Sequence, residues 1–149
     1  MQIVLMCTVL MAAYPWQRGH SDRIATCIYV ASKAESLGED PSLIVSLAWS
    51  ESRFNWKAKS KQGAIGPLQV IPKYWCKGRK KCERIEAGLR ALTWWRAHAN
   101  DKGVKWCTRE WMIHALCRYN AGYRCGRKSR AWAATIMGRA EWLNEIAAL

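Results

Sequence analysis

The stretch ESRFNWKAKSKQGAIGPLQVIP, Glu51 to Pro72, opens on a carboxylate and holds no other acid, although four basic residues come after it within the stretch. The next acidic residue is Glu83. Glu51 lies three residues beyond Ala48, four beyond Leu47 and seven beyond Ile44, so on a helix it continues an apolar stripe toward the interior. Desolvation there disfavours the charged form, and the negative end of the helix dipole acts in the same direction, so the carboxyl should titrate high. That suits a general acid near neutral pH. Glycosidic bonds need such a proton donor, because the leaving alkoxide is too basic to depart unassisted. On helical geometry alone, a Glu51 bent outward to pair with Arg53 or Lys57 is equally open.

The loop residues after the acid favour a site. Gly63 and Gly66 permit backbone conformations and close approaches closed to other residues, while Pro67 and Pro72 stiffen the ends. Between the prolines stand Gln69 and the apolar Leu68, Val70 and Ile71. This is a shaped wall with one polar group, suited to a hydrogen-bonding, partly apolar ligand such as an N-acetylated sugar. An ordered Ω-loop without a ligand is the plainer alternative.

The elements that must carry these residues are helical throughout. The chain has 149 residues, half of them hydrophobic, including ten Trp but one Phe, which predicts a single all-α domain able to bury its own core. Ser21 can cap a helix that stops at Gly38. Asp40 followed by Pro41 starts a second, running to about Arg53 with Ile44, Leu47 and Ala48 on one face. Residues 54 to 72 read as a long loop, a length that in a compact domain is usually functional. After a short helical turn at Lys73 to Trp75, further helices run from Glu83 to about Asn100, from a cap at Thr108 to the break at Gly122, and from a cap at Ser129 onward.

Charge narrows the partners. Lys and Arg number 24 against 11 Asp and Glu, a net charge of +13, which favours an extended anionic partner over a small neutral ligand. Nucleic acid, an acidic membrane surface and bacterial wall polymers all qualify. Tyr74 and Trp75 beside Lys77, Arg79, Lys80 and Lys81 could stack on bases and neutralise phosphates. Against this, Trp94, Trp95, Trp111 and Trp132 fall within helices, where they read as core or cleft, so no nucleic acid is expected.

The residues from Ile3 to Ala13 form an apolar run too short to span a bilayer. Its length and small terminal residues fit a signal peptide, although no positive charge precedes it; a buried N-terminal helix or strand is the alternative. Seven cysteines make an odd set whose odd member, Cys7, lies in that run. Short separations suggest pairing Cys76 with Cys82 and Cys117 with Cys125, and by elimination Cys27 with Cys107, in an oxidising compartment. His114 and Cys117 stand one helical turn apart, but no C-x-x-C pair accompanies them and no metal is expected.

The stretch from Glu51 to Pro72 resembles the signature of the soluble lytic transglycosylases, the goose-type-lysozyme-like enzymes that cut peptidoglycan. The matching positions are Glu51, Ser52, Phe54, Asn55, Ser60, Gly63, Ala64, Gly66, Gln69 and Pro72, and RYNAG, Arg118 to Gly122, resembles the second signature. The likeness covers about residues 21 to 143. It implies a lysozyme-like domain over 14–149, with Glu51 as the single catalytic acid and Ser52, Ser60, Gln69, Ile71, Tyr119 and Asn120 around the substrate. Tyr119 would orient the acid through its hydroxyl, with Asn120 supporting the same turn. Glu51 would protonate the glycosidic oxygen and then act as base on the muramic C6 hydroxyl, giving 1,6-anhydromuramoyl ends without a second carboxylate or any cofactor.

Trp56 stands where the family usually has Pro, and Pro67–Leu68 replaces its commoner Leu-Met, departures expected to alter the cleft wall. The implied partners are peptidoglycan strands and, through the basic surface, anionic envelope polymers. A monomer without a membrane span, exported to the periplasm or envelope or else phage-encoded, is expected. A hydrolytic lysozyme using Glu51 and a distant carboxylate, or a silent wall-binding or virion protein, are the rival readings.

Overall fold

Asp40 begins the helix on which the rest of the molecule is organised. Its carboxylate accepts the backbone N–H groups of Ser42 and Leu43 at 2.9 and 3.5 Å, and Pro41 occupies the first helical position, where no N–H is needed. The resulting helix is α3 (Pro41–Ser52) in a computed structural model that describes residues 2–14, 20–77, 82–99 and 103–148. Every residue from Ser42 to Trp49 is buried, as expected of a helix apolar on nearly all sides. The Ser46 hydroxyl, buried on α3, donates to the Ile136 carbonyl at 2.8 Å.

The other helices are α1 (Gln2–Ala13), α2 (His20–Ser36), α4 (Pro72–Trp75), α5 (Arg84–His98), α6 (Arg109–Ala121) and α7 (Arg127–Ala147), with a 3₁₀ turn at Gly122–Arg124. Helices α1, α2 and α7 pack on α3, α7 also packs on α6, and α5 bridges α6 and α2. Among the described residues there is no strand, only isolated bridges joining Ile65 to Lys59 and to Val70. The all-α class is therefore as the sequence predicts. Glu83 caps α5 by accepting from Ile85 and Glu86, and Thr108 caps α6 by accepting from Trp111.

Two expected caps are displaced. Helix α2 already begins at His20, so Ser21 lies inside it. Helix α7 begins at Arg127 after Gly126, and Ser129, inside it, donates instead to Asn120 Oδ1 at 3.3 Å.

The disulfides correct one pairing. Cys76–Cys82 and Cys117–Cys125 form as the spacing suggests, but Cys27 is bonded to Cys7, leaving Cys107 free and exposed. The apolar run is helix α1, whose Met6, Cys7, Leu10 and Met11 are buried. Its packing against α2 sets Cys7 beside Cys27, 20 residues away. Separation along the chain could not reveal that neighbour. With Cys117 in a disulfide, the pair it makes with His114 is not a metal site, and no cluster of potential metal ligands occurs among the described residues.

Candidate active site

Glu51 sits in the last turn of α3, directly after Ile44, Leu47 and Ala48, each fully buried. Burial pushes its carboxyl up to about 8. Among the described residues no hydrogen bond or ion pair reaches that carboxyl to offset the cost. Neither cation available to an outward Glu51 is paired with it: the Arg53 guanidinium lies over the Trp49 ring, 4.5 Å from its centroid, and Lys57 is exposed. The inward orientation is the one adopted. Such a group keeps its proton at neutral pH and, once ionised, is a stronger base than an ordinary glutamate.

The segment after α3 folds on itself. Arg53 terminates the helix in the left-handed region, its N–H donating to Trp49. Ser52 joins helix to loop: its hydroxyl donates to the Pro67 carbonyl at 2.9 Å and accepts from the Asn55 N–H at 3.1 Å. Ser60 braces a turn by accepting the Ala64 N–H at 3.0 Å. Ile65 and Val70 exchange backbone bonds at 2.8 and 3.1 Å. Gln69 takes a positive φ of 48°, and its side-chain amide donates to the Gly66 and Ala58 carbonyls.

Leu68 anchors the loop from within. It is 1% exposed, and it packs so closely on α5 that a Cβ on Gly88 would fall 2.5 Å from its Cδ1. Glycine at 88 is thus required by contact. The Leu68 carbonyl accepts the Tyr119 hydroxyl at 2.6 Å. The Tyr119 phenol is pushed up by burial and, further, by the charge of Glu51, so α6 brings it next to the acid. Its proton, however, goes to Leu68 rather than to Glu51.

Alongside lies a cleft of about 720 Å³. Of the residues expected around substrate, Gln69, Ile71, Tyr119 and Asn120 line it; Glu51, Ser52 and Ser60 do not. Glu51 neighbours the cleft through Tyr119, a lining residue that feels its charge, and the two serines hold the loop in shape. Missing from the expected set is an aromatic wall: Trp75, Trp94, Trp95 and Tyr123. Trp95 meets Trp94 and Tyr123 edge-on at 4.6 and 5.3 Å, and Trp75 meets Trp94 at 6.1 Å. Periodicity places Trp95 inward without saying whether inward means core or cleft. The available signal was the crowding of large rings near the end of α5, where Trp94 is 36% exposed and the facing Tyr123 is 73% exposed.

Neither departure from the signature alters this wall. Trp56 packs on Tyr29 of α2, with ring centroids 5.7 Å apart, and Leu68 belongs to the core.

A family model described as the transglycosylase SLT domain matches residues 28–135. The chain belongs to that family. The match runs from α2 into α7 and includes Glu51, the loop after it and Tyr119. The SLT domain has a lysozyme-like all-α fold, and membership implies a glycan-cleaving enzyme whose substrate is peptidoglycan. Together with three disulfides, the domain suggests an exported protein that acts on the cell wall; no described helix is long and apolar enough to cross a membrane. No curated protein and no solved structure gives a match.

Proposed function

We propose that this SLT domain is a lytic transglycosylase that cleaves the β-1,4 bond between N-acetylmuramic acid and N-acetylglucosamine, with Glu51 as its single acid and base. The observation that carries the reading is a carboxyl with no partner among the described residues, pushed up to about 8 by burial, next to a cleft with no acidic residue in its described lining. Glu51 gives its proton to the glycosidic oxygen as the bond to the muramoyl anomeric carbon breaks. The carboxylate then takes the proton of the muramoyl C6 hydroxyl as that oxygen attacks the same carbon. No water is consumed, and Glu51 ends protonated as it began. Tyr119, whose own proton is held by Leu68, retains lone pairs that can accept from the protonated acid and orient it.

The basic surface would draw the protein to anionic envelope polymers in the periplasm or envelope. The buried face of α1 and its bond to Cys27 support keeping residues 2–13 in the working domain. Intact mass of the exported protein checks that.

Mass spectrometry of muropeptides released from purified peptidoglycan by the protein and by Glu51→Gln tests the reaction. Anhydromuramoyl ends made only by the unaltered protein are expected. Reducing ends, one water heavier, would overturn the transglycosylase in favour of a lysozyme.

A further inference from the structure

The cleft is charged as well as aromatic. Lys77, just beyond α4, and Arg118, on α6, both line it, and no acid does. The segments that form its two sides continue the pattern. Residues 53–77 hold six Lys or Arg and no Asp or Glu, and residues 111–140 repeat that count. Apart from Glu51, the described acids lie elsewhere, on α2, around the starts of α3, α5 and α6, and toward the end of α7. Such segregation produces a one-signed field focused in a concave, low-dielectric place.

The sugars of the proposed substrate do not answer that field. N-acetylglucosamine is neutral, and the lactyl carboxyl of a peptide-bearing muramic acid is tied up in an amide. The fixed negative charges of peptidoglycan sit on the free carboxylates of its stem peptides. Aromatic rings suit the apolar faces of sugars, whereas ammonium and guanidinium groups suit carboxylates. The two kinds of group share one cleft here, and Arg118 joins them, with its guanidinium 5.8 Å from the Tyr123 centroid and a hydrogen bond to the His98 carbonyl.

We propose that Lys77 and Arg118 bind stem-peptide carboxylates, so that the enzyme selects peptide-bearing glycan over strands stripped of their peptides. This rests on the transglycosylase reading and adds its substrate selection. Lys77 is the cleaner residue to test, because it is exposed at the cleft edge and its removal strands no buried partner.

The experiment compares three soluble glycan strands: peptide-bearing, enzymatically freed of peptides with the lactyl carboxylates so exposed converted to methylamides, and peptide-bearing with carboxylates converted to methylamides. Initial rates are taken with the unaltered protein, and binding is measured with Glu51→Gln, which reads selection independently of chemistry. Peptide-bearing strands are expected to be cleaved and bound about tenfold better than the other two, a margin of the size that charge complementarity gives. Lys77→Gln should shrink that margin about threefold, Lys77→Glu further, and Lys77→Arg should restore it. Added salt should narrow it as well. Equal binding of peptide-bearing and stripped strands, or an unchanged margin in Lys77→Gln, overturns the proposal. A binding margin that persists while no strand is cleaved supports selection and overturns the reaction assigned to Glu51.

Discussion

Glu39, just before helix α3 and its Asp40 cap, and Glu51, in the last turn, have opposite fates. Before its start, Glu39 meets Arg96 at 2.6 Å, both side chains largely buried, and lies where the helix dipole favours an anion. In its last turn, Glu51 has no described partner, lies where the dipole disfavours an anion, and is pushed up to about 8 by burial. One carboxylate holds the molecule together. The other is left costly, and that cost is what makes it a proton donor at neutral pH. A carboxylate is made structural or reactive by the company it keeps, even when only twelve residues of chain separate the two.

Changing Glu51 to Gln should break the reactive end most severely. A loss of glycan cleavage on the order of 10²–10⁴-fold is expected, and turnover equal to the unaltered protein would remove Glu51 from the mechanism. The same change should raise stability. Because the folded form holds the Glu51 proton more tightly than the unfolded chain, native stability falls as pH rises from about 4.5 toward 8. The glutamine variant lacks that penalty, so its advantage should grow across this window to about 3 kcal/mol near neutrality. Chemical denaturation at several pH values measures it. Activity should fall away above pH of about 8, as the acid ionises.

Glu39→Gln should do the reverse, costing about 2 kcal/mol by leaving Arg96 short of its partner while leaving cleavage by the folded protein intact. Thermal unfolding and single-turnover rates separate the two. Gly88→Ala disturbs the Glu51 end from a distance: a new Cβ 2.5 Å from Leu68 must displace the residue that holds Tyr119, lowering stability by about 1–3 kcal/mol and activity with it. Tyr119→Phe sharpens the comparison with the smallest change. Loss of one buried hydrogen bond should cost about 1 kcal/mol, and the remaining activity should show an altered pH limit if the hydroxyl orients the acid.

Much of this was legible in local chemistry. Asp40 with Pro41, Glu83 and Thr108 announce helix starts because capping involves only neighbouring residues, and the stripe ending in Glu51 offers an inward acid as one of two equal readings. Gly88 could not be understood that way, since its reason is Leu68, on another segment. The Cys7–Cys27 bond depends on α1 lying against α2, a fact of packing. Trp94 and Trp95 read from the sequence as core or cleft alike, and Tyr123 falls in the break after α6, so only the cleft beside them shows that they form a wall. Ser52 and Ser60 match the family's substrate-lining positions, yet here their hydroxyls are committed to the loop.

Both sides of the cleft end in short covalent clips: Cys76–Cys82 comes directly after Trp75, and Cys117–Cys125 encloses Tyr119 and Tyr123. The acid itself needs neither, because α3 sets it. The two ends of the site therefore answer differently to their surroundings: a reductant would loosen both sides of the cleft and leave the acid where α3 holds it, whereas the oxidising compartment that three disulfides and the SLT domain suggest keeps both sides fastened.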